Sequence, residues 1–170
     1  MKINKPNFKC LIIVIPFFII LFLGHNLKKY YTINISESLP RGLYRLEEPK
    51  NIQKGDIVQF YIPPKIEKLL KERKYTAPIV TYMLKRVAAL PGDKVFIKDN
   101  FFFVNDKNWG FIFDEDPRGN PLPRLSIEDF KLQDDEFLPL ADAYGSYDGR
   151  YFGSLKISDI KFKCRLVFSF

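Results

Sequence analysis

Two residues of this chain sit in surroundings that suit nucleophilic chemistry. One is Ser38, in Ser38-Leu39-Pro40-Arg41-Gly42, and the other is Lys85, in Leu84-Lys85-Arg86-Val87-Ala88-Ala89-Leu90-Pro91-Gly92-Asp93. A serine hydroxyl is a weak nucleophile near neutral pH and needs a base beside it. A lysine amine can be that base once burial disfavours its ammonium form. Pro40 fixes its own φ and pushes Leu39 towards an extended conformation, while Gly42 allows a tight turn, so Ser38 is expected to be pinned. Pinning matters because a small displacement of the attacking oxygen is costly. The residues around Lys85, 79–84 and 87–90, are apolar enough to bury an amine. Strand alternation would put Lys85 and Val87 on one face, and Leu84 and Arg86 on the other. Each residue also has a plainer reading: Ser-x-Pro is common in turns, and a lysine on an edge strand can snorkel its head to water.

Other chemistries are harder to build from this composition. A zinc site or a Ser-His-Asp triad needs histidine, or several cysteines placed together. This chain has one histidine, His25, and two cysteines, Cys10 and Cys164. No metal, no cofactor and no disulfide are expected. The net charge of +7 permits an anionic partner, but the basic residues are dispersed among acidic ones. That pattern reads as a solvated basic surface, with no nucleic acid expected as partner.

The elements that must position the two residues are mostly strands, as the 17 Phe and 9 Tyr suggest. Strands are predicted over 42–46 and 56–62, the second stopped by Pro63-Pro64, and over the apolar run 79–90. A hairpin is predicted from 95–98 and 101–105 about Asp99-Asn100, with further strands at 137–140 and 165–168. A helix is predicted over 65–74, with Ile66, Leu69 and Leu70 on one side. Residues 114–123 are rich in turn formers, and 126–130 suit one helical turn. The aromatic stretches Phe101-Phe102-Phe103 and 109–113 suit core packing and strand pairing, with a membrane interface as the alternative. Together these describe a mainly β domain with short helices.

Ahead of that domain, Lys2, Lys5 and Lys9 precede an uncharged apolar run from Cys10 to Gly24. The run is shorter than the ~20 residues of a typical span, and extending it to Leu27 brings it closer. A cleaved signal peptide competes by length, but no small-x-small cleavage pattern comes after the run. The expected organisation is a cytoplasmic tail over 1–9, a transmembrane signal-anchor over 10–27 and one catalytic domain over 28–170. An anchor there would keep Ser38 within ~50 Å of the bilayer. The N-terminal lysines favour a cytoplasmic N-terminus, with Lys28 and Lys29 pulling the other way.

Four segments in order, Ser38-Leu-Pro-Arg-Gly-Leu-Tyr44, Lys54-Gly-Asp-Ile-Val58, Lys85-Arg-Val-Ala-Ala-Leu-Pro-Gly-Asp93 and Ser146-Tyr-Asp-Gly-Arg-Tyr-Phe-Gly153, resemble the successive boxes of type I signal peptidases. These are serine peptidases with a Ser-Lys dyad. The Ser-x-Pro-x-Gly-x-Tyr form, the small size and Asp116-Pro-Arg-Gly-Asn-Pro-Leu-Pro123 are most similar to the TraF-type peptidases of conjugative transfer systems. The resemblance implies a signal-peptidase-like β fold, with Ser38 as nucleophile and Lys85 as general base. It implies further that Ser38 N–H and the Ser36 hydroxyl hold the oxyanion, that Ser146 orients the lysine amine, and that Asp148 and Arg150 form a supporting ion pair. Signal peptidases usually have Ser-Met-x-Pro, one residue longer, and Gly-Asp-Asn where this chain has Leu140-Ala141-Asp142. Both departures point away from a housekeeping signal peptidase.

The function expected from this resemblance is a membrane-anchored serine endopeptidase that removes signal or pro-segments from exported proteins, with pilin-type precursors and membrane lipid as partners. It would sit in the bacterial inner membrane with its catalytic domain on the outer, periplasmic side. The acyl group could pass to water or to a substrate's own amine, the latter giving a cyclic peptide. A catalytically silent, membrane-anchored component of a secretion or pilus apparatus is the alternative from another class. A self-cleaving repressor shares the chemistry but carries an N-terminal DNA-binding domain, where this chain has an apolar segment.

Overall fold

The computed structural model describes residues 14–18, 24, 26–126 and 130–170. Among the described residues from Tyr31 onward, ten strands and two α-helices succeed one another in order: β1 Tyr31–Asn34, β2 Gly42–Glu47, β3 Ile57–Tyr61, α1 Pro64–Glu72, β4 Tyr82–Ala89, β5 Val95–Lys98, β6 Phe101–Val104, β7 Lys107–Phe111, β8 Glu136–Leu140, α2 Gly149–Phe152, β9 Leu155–Lys156 and β10 Ile160–Ser169. A short 3-10 turn, Ile157–Asp159, joins β9 to β10. Mainly β with short helices is therefore the observed class. Among the described residues, no helix is long and apolar enough to cross a membrane. The expected anchor over 10–27 lies largely outside the described residues; 14–18, Gly24, Asn26 and Leu27 are helical. Cys10, His25, the tail 1–9 and most of the expected turn at 126–130 also lie outside them.

Seven strands form one antiparallel sheet in the order β1-β2-β10-β3-β4-β8-β9, and β5-β6-β7 form a second. Two strands, β10 and β3, stand between β2 and β4. At the usual ~4.8 Å per strand, β2 and β4 would be ~14 Å apart across a flat sheet. The loop before β2 nevertheless reaches a side chain on β4, so the large sheet must curl over one core. Val58, Phe60, Val87, Phe137 and Ile160 fill that core.

The second core lies between the small sheet and the β4–β8 end of the large one. It contains Ala88, Ala89, Phe102, Trp109, Ile112, Leu138, Leu140 and Tyr151. A register shift in β4 against β8, between Val87 and Ala89, lets one strand serve both cores. Simple alternation would have turned Ala88 away, but a bulge adds a residue and re-aims the side chains beyond it. Upstream of the bulge the expected alternation holds: Lys85 and Val87 are buried, while Leu84 and Arg86 are half-buried.

The Asp99-Asn100 turn has positive φ at both residues, 52° and 63°, as a two-residue hairpin with a right-handed twist requires. β7 overlaps the 109–113 stretch expected to pair as a strand, but starts two residues earlier, where Lys107 and Asn108 dilute the β pattern. Gly110 has φ 114°, and a Cβ there would meet the Tyr144 ring and come within 2.8 Å of Arg150 Nη1. The aromatic stretches divide by face. Phe102 and Trp109 are buried in the second core, while Phe103 stacks on Phe96, 5.0 Å between centroids, and Phe101 and Phe113 are exposed.

Candidate active site

Residues 35–41 carry the chain from β1 to β2, with Ser38 in their midst. Several contacts hold this loop. Leu39 is buried beneath it. Tyr44, wholly buried in β2, donates its phenolic proton to the Pro40 carbonyl at 2.7 Å. The Ser38 carbonyl accepts from Asp142 N–H at 2.9 Å and Ala143 N–H at 3.4 Å, in the loop after β8. Gly42 serves a purpose other than the expected tight turn. It is the first residue of β2, and a Cβ there would collide with the Phe168 carbonyl oxygen of β10. The glycine is required by close strand packing.

Lys85 enters from β4, opposite Val58 of β3, and is only 3% exposed. Its Nζ lies 3.2 Å from Ser38 Oγ and 2.6 Å from Ser146 Oγ. The two serine hydroxyls are 2.9 Å apart, so the three polar atoms close a triangle. Burial brings the Lys85 amine down from 10.5 to about 8; the Asp148 carboxylate opposes that shift and the Arg150 guanidinium adds to it. An amine so placed is neutral in an appreciable fraction near neutral pH. It can then donate to Ser146 and accept the Ser38 proton, which is the geometry a Ser-Lys dyad needs.

Ser146 is held by a buried ion pair. Asp148 and Arg150 are both inaccessible to solvent, with Arg150 Nη2 to Asp148 Oδ2 at 2.8 Å. A second contact, Arg150 Nε to Asp148 Oδ1 at 2.9 Å, makes the pairing bidentate. Asp148 also caps α2 by accepting from Arg150 N–H, and takes Ala141 N–H at 2.8 Å. Arg150 spends its remaining donors on the carbonyls of Trp109, Ala143 and Ser146. The pair therefore fixes the loop carrying Ser146 and, through Ala143, the segment that holds the Ser38 carbonyl.

Ser36 lies on the exposed side of the same loop. Its hydroxyl donates to Asn34 Oδ1 at 2.7 Å. Among the described residues no acceptor takes the Ser38 N–H, which leaves it available to an incoming oxygen. All six residues singled out by sequence thus belong to one neighbourhood: Ser38, Lys85 and Ser146 in mutual contact, Asp148 and Arg150 behind them, and Ser36 on the loop that carries Ser38.

A family model described as signal peptidase, peptidase S26, matches residues 7–169. This chain belongs to that family. A plasmid transfer protein TraF of Escherichia coli is 36% identical over 138 residues, covering 75% of this chain and 77% of the relative. A second plasmid transfer protein TraF of Escherichia coli is 34% identical over 145 residues, covering 79% and 80%. A signal peptidase I crystal structure from Enterococcus faecalis V583 is 18% identical, covers 70% of this chain and 98% of its own, and superposes with a TM-score of 0.42.

In this signal peptidase family member, several residues escaped the sequence reading. Arg86 grips Asp142 through two bonds, Nε to Oδ1 at 2.8 Å and Nη2 to Oδ2 at 2.6 Å. The residue after Lys85 is thereby fastened to the residue whose N–H holds the Ser38 carbonyl. Tyr147 stacks on Tyr151 with centroids 5.4 Å apart and also meets Tyr75. Two of the boxes prove to be bonded partners: Lys54 Nζ lies 2.6 Å from Asp93 Oδ1. The pairing of Arg86 with Asp142 had a signal in the sequence, since Arg86 directly follows Lys85 and Asp142 lies in the Leu140-Ala141-Asp142 departure. Nothing local to Asn34 or Tyr147 distinguishes either.

Proposed function

We propose that this protein is a membrane-anchored serine endopeptidase that cleaves signal or pro-segments from exported precursors, pilin-type precursors of a conjugative transfer system first among them, through a Ser38-Lys85 dyad. The observation that carries the reading is the Lys85 amine, 3% exposed and 3.2 Å from Ser38 Oγ. Burying an amine costs free energy that a chain used only for assembly has no reason to spend. Similarity to TraF plasmid transfer proteins over three quarters of the chain supports the substrate class.

In this mechanism Ser38 Oγ attacks the scissile carbonyl carbon while Lys85 Nζ takes the hydroxyl proton. The carbonyl oxygen becomes an oxyanion facing Ser38 N–H and the Ser36 hydroxyl, donors of a kind worth ~3 kcal/mol each in the transition state. Lys85 then returns the proton to the leaving amine as the peptide C–N bond breaks, leaving an ester on Ser38. A water that gives its proton to Lys85 attacks that ester, and Lys85 passes the proton to Ser38 Oγ as the acyl C–O bond breaks, which frees Ser38. The Ser146 hydroxyl and the Asp148–Arg150 pair keep the amine aimed throughout. The family resemblance points to small side chains just before the scissile bond. Residues 1–9 are proposed as a cytoplasmic tail, 10–27 as a single inner-membrane anchor, and 28–170 as the domain on the outer side.

Co-expression with candidate pilin precursors tests this. Wild type is expected to shorten a precursor, and Ser38→Ala and Lys85→Ala to leave it full length on an immunoblot. Processing that persists in either variant removes that residue from the mechanism.

A further inference from the structure

Asn34, the last residue of β1, is 7% exposed, and all of its side-chain hydrogen bonds go to the Ser38 loop. Its Oδ1 accepts Ser36 N–H at 3.1 Å and the Ser36 hydroxyl at 2.7 Å. Its Nδ2 donates to the carbonyls of Ser36, Leu39 and Pro40 at 3.1, 3.0 and 3.2 Å. One carboxamide therefore ties both ends of the loop that carries Ser38. A serine hydroxyl has a single proton. While that proton points at Asn34, it is not donated to an oxyanion.

We propose that Asn34 is the positioning residue of the oxyanion hole, a role that rests on the peptidase reading above. In the resting site it holds the Ser36 hydroxyl. When negative charge develops on the scissile carbonyl, the hydroxyl rotates about its Cα–Cβ bond and donates there. An ionised oxygen is the stronger acceptor, so the proton moves across as the transition state forms. An interaction made there and absent from the ground state raises kcat. The Nδ2 bonds hold the loop backbone still while the hydroxyl turns. The neutral side chain matters: a carboxylate at position 34 would hold the hydroxyl by a charge-assisted bond and repel the oxyanion.

The test uses the purified full chain in detergent micelles, with an internally quenched peptide carrying alanine just before its scissile bond. Asn34→Asp, which keeps both acceptor contacts to Ser36, is expected to lower kcat by about 10²-fold. KM should stay within about threefold and the acid limb of the pH profile should not move, because Lys85 is untouched. In a Ser36→Ala background, where no hydroxyl remains to hold, the same substitution is expected to cost only about tenfold, the part due to the lost Nδ2 bonds and the added charge. Asn34→Ala, which removes the Oδ1 acceptor as well as the Nδ2 bonds that Asn34→Asp already gives up, should lose at least as much as Asn34→Asp. Full kcat in Asn34→Asp, or an equal loss with and without the Ser36 hydroxyl, overturns the proposal. A wild type that cleaves no peptide and leaves Ser38 unmodified by a fluorophosphonate overturns the peptidase reading, and this proposal with it.

Discussion

Lys85→Met is expected to cut turnover about 10⁴-fold and to make the folded chain more stable at pH 7 by about 2 kcal/mol. The opposite signs share one cause. Folding drives the Lys85 amine from 10.5 to about 8, chiefly by burial. Between those two values the unfolded chain binds more protons than the folded one, so stability rises with pH across that window. Below about pH 8 the penalty is present in full, at ~3 kcal/mol for the whole displacement. A methionine of similar length removes it and gives up hydrogen bonds to Ser38 and Ser146 worth ~1 kcal/mol. The gain in thermal stability should be largest below pH 8 and fade as pH approaches 10.5. Lys85→Arg complements this, because a guanidinium stays charged and cannot act as base at any accessible pH. Thermal unfolding at pH 7 and pH 10, beside a processing assay, reads both effects. A Lys85→Met chain that is inactive and also less stable at pH 7 would mean the amine is not desolvated.

Arg150→Met is expected to be the most damaging single change to the fold, at about 3–5 kcal/mol. It would lower the melting temperature by roughly 10 °C or more for a domain of this size. The wild-type guanidinium is wholly buried, forms two bonds to Asp148 and caps three carbonyls. Its removal strands a buried carboxylate and orphans those oxygens. The Ser146 segment would then loosen, so activity should fall even in the fraction that folds. The remaining Asp148 charge acts to raise the Lys85 pKa, and with Arg150 gone any residual activity should need higher pH. Pairing Asp148→Leu with Arg150→Met should recover part of the stability and none of the activity, because a well-packed apolar pair can replace a buried ion pair energetically. Urea denaturation of wild type and the two variants separates these outcomes; a loss below about 1 kcal/mol for Arg150→Met would contradict the burial argument.

The difference between what was and was not legible in the sequence tracks the range of each interaction. Strands β2, β3, β5 and β6 and helix α1 announce themselves by local pattern and by Pro and Gly punctuation, and they lie within a residue or two of expectation. Ser38, Lys85, Ser146, Asp148 and Arg150 were legible through ordered boxes. Their contacts are long-range, and residue types alone left Ser38 and Lys85 each with a plainer explanation. β1 was missed because Tyr31-Thr-Ile-Asn34 is short and comes directly after the lysines that close the apolar segment. α2 was missed because it is four residues long and begins with glycine, held by the Asp148 cap more than by propensity. The bulge after Val87 and the role of Gly42 depend on which strands become neighbours, and periodicity within one strand carries no information about that. Asn34 is the clearest case: an asparagine at a strand end reads as an ordinary turn residue until its five hydrogen bonds to Ser36, Leu39 and Pro40 are in place.

The pH dependence of Ser38 phosphonylation tests the dyad most directly. Wild type and Ser146→Ala, reacted with a fluorophosphonate across pH 5.5–10, report the state of the base without any substrate being identified. If a neutral Lys85 activates Ser38, the wild-type rate should climb about tenfold per pH unit and level off around pH 8, near the value to which burial brings the amine. In Ser146→Ala, which removes the 2.6 Å bond to the amine, the rate should fall at every pH. A wild-type rate that is flat from pH 6 to 9, or that already levels off in the carboxylate range, would contradict Lys85 as the base.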